Sequence, residues 1–121
     1  MDLLSAELAD DPTVDITTTG RRSGLPRRIE IWMMAVDGRF FLTGTPGKRD
    51  WMANLAADPT LVVHLTRRAS VDLAARAEPV DDPALRQRVL EHVNAAWYLE
   101  QAPLDVLLAD APMLEVVLDE P

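Results

Sequence analysis

The chain contains six short segments rich in β-branched and apolar residues, and in several of them apolar and polar positions alternate, as in half-buried strands. These segments are residues 13–19, 27–36, 39–44, 60–67, 70–80 and 113–120. Asp37 and Gly38 separate the second segment from the third, and this dipeptide is typical of a tight β-hairpin. The pattern therefore predicts six strands, with an antiparallel hairpin between the second and the third.

Two further stretches have helical features. Residues 45–59 begin with a loop that contains glycine and proline, continue as a helix and stop at an Asp-Pro pair. Asp82 and Pro83 are typical of the N-cap and first position of a second helix. Apolar residues recur there every four positions and predict one buried face: Leu85, Val89, Val93 and Trp97. Residues 103–112 fit either a short helix or a loop.

The order of these elements indicates the fold class. Three strands, a helix, two strands, a helix and a last strand favour an antiparallel sheet whose helices cover its ends or one face. We therefore expect an α+β fold, mainly antiparallel β, built as a small closed or split β-barrel with two or three flanking helices. A length of 121 residues is enough for one hydrophobic core, so residues 1–121 are expected to form a single domain.

Composition narrows the possible classes of function. The chain has no cysteine, which excludes disulfides, thiolate catalysis and cysteine-ligated metals. Its first residues, MDLLSAELADDP, lack the basic region of a secretory signal. No apolar run approaches the roughly 20 residues that a membrane-spanning helix needs. We expect a cytoplasmic protein without an integral membrane segment.

Charge is distributed unevenly along the sequence. The net charge is −8, yet residues 20–49 contain seven basic and two acidic residues and carry +5, which leaves −13 for the rest. Nucleic-acid binding depends on broad phosphate neutralisation and on stacking, and an acidic chain with 5% aromatic residues offers little of either. One local anion site fits this distribution better. A solvated basic turn is the plainer interpretation.

Two basic loops are predicted to meet. TTTGRRSGLPRR at 17–28 leads into the second strand, and GTPGKRDW at 44–51 follows the third and opens a helix, whose first N–H groups favour anions. If the two strands form the hairpin, both loops lie at the same end of the sheet. This places four arginines beside Lys48 and Arg49: Arg21, Arg22, Arg27 and Arg28. Like charges repel one another, so their convergence predicts a shared anionic ligand.

Other kinds of chemistry have little support in the sequence. His64 and His92 have no second histidine at ligand spacing, so no metal site is expected. The G-x-S-x-G element of serine hydrolases is absent from the sequence.

Trp32 and Met34 share one face of the second strand and Met33 lies on the other. We expect these side chains in the core; the alternative is that they flank a planar ring system.

The single tyrosine of the chain, Tyr98, is the candidate proton donor. It follows Trp97, which continues the buried face of the second helix, and is therefore expected at the rim of the fold. Its hydroxyl could donate a hydrogen bond or a proton to a substrate. A boundary tyrosine with its hydroxyl in water is the alternative.

Residues 14–66 resemble the deazaflavin-dependent nitroreductase family. Members have a TTxGRxSG turn, a strand pair, a basic loop with glycine, a W-x-x-N-L helix and then an N-P pair. The matching positions are Thr18, Thr19, Gly20, Arg21, Ser23, Gly24, Gly47, Lys48, Trp51, Asn54, Leu55, Asp58 and Pro59. The turn and the helix motif in this order are more specific together than either is alone.

The resemblance implies a split β-barrel oxidoreductase that binds the deazaflavin coenzyme F-420, whose phosphate and oligoglutamate tail are anionic. The basic turn and loop would grip this tail, and Trp51 and Asn54 would shape the site from the helix. The cofactor-binding residues would be Arg21, Arg22, Ser23, Thr45, Gly47, Lys48, Arg49, Trp51 and Asn54. Hydride would pass from the reduced cofactor to a quinone, a nitro compound or an enone, with Tyr98 or solvent supplying the proton.

Several alternatives stay open at this point. FMN is a second candidate cofactor, since related split barrels use it. A non-catalytic module that binds a flavin, a deazaflavin or a fatty-acid-like anion is the second candidate function. The sequence does not decide between a monomer and a homodimer.

Overall fold

The computed structural model of the protein describes residues 3–67, 69–92 and 95–119. These residues form six strands and five helices. In chain order they are α1 (Leu3–Asp10), β1 (Thr13–Thr19), β2 (Pro26–Val36), β3 (Arg39–Thr43), α2 (Asp50–Ala57), β4 (Thr60–Leu65), β5 (Val71–Pro79), α3 (Pro83–Leu90), α4 (Ala96–Gln101), α5 (Leu104–Asp110) and β6 (Met113–Leu118). All six predicted strands are present, with bounds that differ from the expected ones by at most two residues.

The strands form a closed antiparallel barrel in the order β1-β2-β3-β6-β5-β4. The predicted hairpin joins β2 to β3, with Val36 paired to Arg39 and Asp37 at a positive φ of 53° in the turn. β6 enters between β3 and β5, and β4 closes the barrel against β1. The prediction of an α+β split barrel is confirmed, but in the described part of the chain five short helices flank the barrel instead of the expected two or three.

Side chains of the barrel pack into two apolar clusters. The first fills the barrel and includes Ile16, Met33 and Val63, all fully buried. The second lies under α3, α4 and α5 and includes Met34 and Phe41. Adjacent residues of a strand face opposite sides of a sheet, so Met33 enters one cluster and Met34 the other. Both faces of this part of β2 are therefore buried, as expected for both methionines.

The helix predicted after Asp82 is shorter than expected. Its beginning is confirmed, because the Asp82 side chain caps the helix by accepting the backbone N–H of Ala84 at 3.1 Å. It ends at Leu90, and α4 starts as a separate helix at Ala96. Val93 lies outside the described residues. The four-residue repeat therefore does not continue to Trp97, which is 47% exposed instead of buried.

The predicted positions of two other aromatic residues are also wrong. Tyr98 is buried with 7% exposure instead of lying at the rim, because the helical phase restarts between α3 and α4. Trp32 is 40% exposed instead of in the core. The open segment at residues 103–112 forms the short helix α5.

The helix α1 is fixed to the barrel by one buried acid. The Glu7 carboxylate is 1% exposed and accepts the backbone N–H groups of Thr66 and Arg67 at 3.2 and 3.1 Å. The Arg67 guanidinium donates in return to the backbone carbonyls of Glu7, Asp11 and Thr13. Among the described residues no helix is long and apolar enough to cross a bilayer.

Candidate functional site

The turn between β1 and β2 and the helix α2 enclose a cleft of about 440 Å³ at one end of the barrel. We call it the arginine cleft. Its lining combines three arginines with one acidic residue and one tryptophan, and consists of Thr18, Gly20, Arg21, Arg22, Ser23, Arg27, Ile29, Asp50, Trp51 and Asn54. The positive charges outnumber the negative one, so the cleft favours an anionic ligand.

The turn that carries two of these arginines has a fixed backbone. The Gly20 N–H donates to the Leu25 carbonyl and the Gly24 N–H to the Gly20 carbonyl, both at 2.8 Å. Gly24 has a φ of +70°, which side chains rarely tolerate. A Cβ on Gly20 would lie 2.6 Å from the Ser23 hydroxyl. Glycine at both positions therefore lets the turn close tightly and present Arg21 and Arg22 together.

Arg21 connects the turn to α2. Its backbone N–H and its Nη1 both donate to Asn54 Oδ1, at 3.1 and 3.0 Å. Its Nη2 lies 3.4 Å from Asp50 Oδ1. The Asn54 amide is 4% exposed and also donates through Nδ2 to the Thr18 hydroxyl at 3.2 Å. These contacts bring the turn and the helix α2 into one site.

A second cleft of about 400 Å³ lies on the other side of Arg21 and Asp50. We call it the lysine cleft, and it is lined by Arg21, Gly47, Lys48, Arg49, Asp50, Met52, Ala53 and Ala56. The side chain of Arg49 turns back onto its own loop, with Nη1 donating to the Gly47 carbonyl at 3.2 Å and Nη2 to the Thr45 hydroxyl at 3.0 Å. Thr45 thus contacts Arg49 and holds the loop that presents Lys48.

The structure brings most of the expected basic residues together, with one exception. Arg21, Arg22 and Arg27 line the arginine cleft, and Arg21 is shared with the lysine cleft. Arg28 lines neither cleft, and its Nε lies 3.0 Å from Asp15 Oδ2. The reason is the strand period: neighbours on β2 point to opposite faces, so Arg27 faces the cleft and Arg28 faces away.

Three aromatic rings form a cluster that the sequence did not indicate. Trp32 of β2 and Trp97 of α4 lie with ring centroids 6.1 Å apart, and both contact Tyr98 edge to face at 6.2 and 5.3 Å. The two tryptophans are half-exposed and Tyr98 is buried. The sequence pattern predicts Trp32 and Trp97 in the core, so it does not indicate this cluster. The difference in exposure between Trp97 and Tyr98, neighbours on α4, is seen only in the structure.

The hydroxyl of Tyr98 is in an apolar setting. It donates to the Thr43 backbone carbonyl at 3.5 Å, a long hydrogen bond. Burial raises the pKa of Tyr98 above its ordinary value of 10.0, and the nearby positive charge of Arg49 opposes this rise. The phenol is therefore protonated at neutral pH and can donate a hydrogen bond or a proton.

A family model described as F420H2-dependent quinone reductase matches residues 4–104, which is most of the chain and includes both clefts. The chain belongs to the F420H2-dependent quinone reductase family. The family resemblance stated from the turn and helix motifs is thereby confirmed. No curated protein matches the chain.

Solved structures with low identity share the fold. A conserved hypothetical protein of Mycobacterium tuberculosis is 21% identical with a TM-score of 0.72, covering 99% of this chain and 82% of its own. A Clostridium acetobutylicum protein of the pyridoxinephosphate oxidase family is 18% identical with a TM-score of 0.71, covering 95% and 80%. An F420-H2 dependent reductase is 21% identical with a TM-score of 0.62, covering 88% and 94%.

The cofactor of this family member is coenzyme F-420, the reductant after which the family is described. The residues present fit its anionic half. Guanidinium groups bind phosphate and carboxylate oxygens with paired N–H donors, and the arginine cleft contains three of them. Trp51, half-buried against the barrel core, adds an apolar wall to the same cleft. A phosphate with acidic residues attached to it matches this combination of charge and shape.

Proposed function

We propose that this protein reduces a small conjugated acceptor, a quinone, a nitro compound or an enone, with hydride from reduced F-420. The observation that carries the proposal is the arginine cleft, because its three guanidinium groups surround a space where an anionic tail can lie. Residues 1–121 would act as a single split-barrel domain. Its partners would be the cofactor and the acceptor, without nucleic acid.

The basic residues of the two clefts would bind different parts of the anionic half of the cofactor. Arg21, Arg22 and Arg27 would hold the phosphate in the arginine cleft, and Lys48 would extend the positive track into the lysine cleft. Ser23 contributes to the shape of the turn, because its hydroxyl already accepts the Leu25 N–H at 3.1 Å. In the same way Gly47, Thr45 and Arg49 shape the loop, since Arg49 donates to the other two.

The acceptor would lie against the aromatic cluster. When bound, the reduced cofactor supplies the hydride, and the protein contributes orientation and exclusion of water. The exposed parts of Trp32 and Trp97 offer flat apolar surface to a planar acceptor. Tyr98 would donate the proton that the reduced acceptor needs, because its phenol carries a proton at neutral pH.

A second candidate function has one specific observation in its favour. Met52, Ala53 and Ala56 give the lysine cleft an apolar floor below a basic rim. This combination suits a fatty-acid-like anion that is bound without turnover.

We also propose a homodimer. Leu99 and Val106 are exposed apolar side chains on the consecutive helices α4 and α5. A second copy of the chain would cover these side chains, as partners cover exposed apolar surface in other proteins. Sedimentation velocity of the purified protein tests this proposal: a monomer at micromolar concentration would contradict it.

The decisive experiment measures binding and turnover on the same preparation. Oxidised F-420 and FMN are titrated in parallel by fluorescence, with wild type, Lys48→Ala and the matched control Arg28→Ala. Wild type is expected to bind F-420 more tightly than FMN, Lys48→Ala more weakly than wild type, and Arg28→Ala as wild type does. Turnover with reduced F-420 is then measured with menadione, a nitroarene and an enone. Binding without turnover of any acceptor would support the non-catalytic module.

A further inference from the structure

Asn54 has a position that a direct cofactor ligand would not have. Its side chain is 4% exposed, and both ends of its amide already have partners. Oδ1 accepts two N–H groups of Arg21, and Nδ2 donates to the Thr18 hydroxyl. N–H groups can only donate, so the oxygen of the amide must face Arg21 and its nitrogen must face Thr18. The amide has little capacity left for a ligand.

Arg21, in contrast, has donors to spare. A guanidinium has five N–H donors, and within the described part of the chain two contacts engage them, one to Asn54 and one to Asp50. The Asp50 contact is long, at 3.4 Å, and the Asp50 side chain is 93% exposed. Such an exposed ion pair contributes little and is easily exchanged for another anion. Arg21 also lines both clefts, so its remaining donors are within reach of a ligand that binds there.

We propose that Asn54 is a positioning residue: it holds the backbone and the guanidinium of Arg21 through one neutral oxygen, so that Arg21 is ordered for the anion of the cofactor with its charge intact. This inference rests on the proposed function. The neutrality of the amide is the essential property. A carboxylate at the same place would hold Arg21 equally well but would offset its charge, and the cleft would then attract an anion less strongly.

A double-mutant cycle separates positioning from direct contact. The dissociation constant for oxidised F-420 is measured by fluorescence with wild type, Arg21→Ala, Asn54→Ala and the double variant. Each single substitution is expected to weaken binding about tenfold or more, the range of a hydrogen bond to a charged group. If Asn54 acts through Arg21, Asn54→Ala changes the constant by less than about twofold in the Arg21→Ala background.

The variant Asn54→Asp is the second arm, because Asn54→Ala leaves Thr18 without its buried partner and can impair folding. Aspartate has the same shape, can accept both N–H groups of Arg21, and can accept the Thr18 hydroxyl proton. Its thermal midpoint is therefore expected to be close to that of wild type. Its F-420 binding is expected to be at least fivefold weaker and less sensitive to added salt, whereas a purely structural asparagine would predict wild-type binding.

The substitution Asp50→Asn is expected to change F-420 affinity in the opposite direction. Removing the competing carboxylate is expected to tighten F-420 binding by about twofold to fivefold, the scale of an exposed ion pair. Additive effects of Arg21→Ala and Asn54→Ala, or unchanged binding by Asn54→Asp, overturn the assignment of Asn54 while the proposed function stands. Wild type that fails to bind F-420 overturns the proposed function, and the inference with it.

Discussion

Replacing Tyr98 by phenylalanine separates the proposed role of this residue as a proton donor from its structural role. The substitution removes one hydroxyl and leaves the ring, which keeps its contacts with Trp97 at 5.3 Å and Trp32 at 6.2 Å. The lost hydrogen bond to the Thr43 carbonyl is 3.5 Å long, well beyond the optimum of about 2.8 Å. It therefore contributes less than a typical net value of about 1 kcal/mol, and we expect a loss of about 0.5 kcal/mol or less.

The expected effect on turnover is much larger. A positioned proton donor contributes roughly a hundredfold to ten-thousandfold to a rate, so Tyr98→Phe should lower kcat for quinone reduction by at least about a hundredfold. The F-420 dissociation constant should not change. Turnover is followed by the reappearance of oxidised deazaflavin, and stability by chemical denaturation of the same sample.

Two further measurements complete this test. Tyr98→Ala removes the ring and should cost about 3–5 kcal/mol of unfolding free energy, as large-to-small core changes do. The second measurement is the unfolding free energy as a function of pH. Burial raises the pKa of Tyr98 above 10.0, so the contribution of the neutral phenol to stability is present below pH 10 and is lost as the pH rises through the raised pKa. A Tyr98→Phe enzyme that retains more than a third of its rate would refute the assignment, and solvent would be the proton source.

Three other predictions follow from the contacts around the clefts and helices. Arg22→Ala and Arg27→Ala should each weaken F-420 binding about tenfold, and more so at low salt, in a fluorescence titration in which Arg28→Ala matches wild type. Arg86→Met should lower the unfolding free energy by about 2–4 kcal/mol, because Arg86 donates to four backbone carbonyls (those of Val80, Leu107, Leu108 and Ala111); Arg88→Met, which breaks an exposed ion pair with Asp37, should change it by less than about 0.5 kcal/mol. Hydrogen bonds from Thr60 lower the pKa of Asp58 below its ordinary 3.8. The ionised Asp58 therefore stabilises the folded state above that pH, and this contribution is lost as the pH falls through the lowered pKa. Asp58→Asn should reduce the difference in denaturation midpoint between pH 7 and pH 3, and an unchanged difference would contradict the assignment.

The barrel could be predicted because its signals are local. Alternation and β-branched residues marked the strands, and Asp37-Gly38 marked the hairpin, so each strand was found within two residues. The hairpin in turn placed the turn after β1 and the loop before α2 at the same end of the sheet. The hairpin alone therefore predicts that Arg21 and Lys48 lie near each other.

Other features depend on contacts that no local pattern encodes. Asn54 and Arg21 are 33 residues apart, and the amide orientation that joins them follows only from the packed structure. The interruption between α3 and α4 shifted the helical phase, which exchanged the expected environments of Trp97 and Tyr98. The helix α1 had a usable signal, because Leu4 and Leu8 lie four positions apart and are both buried, but eight residues give such a pattern little weight.

The place of β6 in the barrel has a consequence for how the chain folds. Phe40 pairs with Val116 and Leu42 with Leu114, across more than seventy residues of sequence. Until residues 113–118 arrive, β3 and β5 each present an unpaired edge, and a sheet with open edges recruits other strands. The slow step should therefore be the insertion of β6, since a loop of that length must close before its contacts form. A chain shortened before this strand would be prone to aggregate rather than merely less active, which matters for any attempt to trim or fuse the protein at this end.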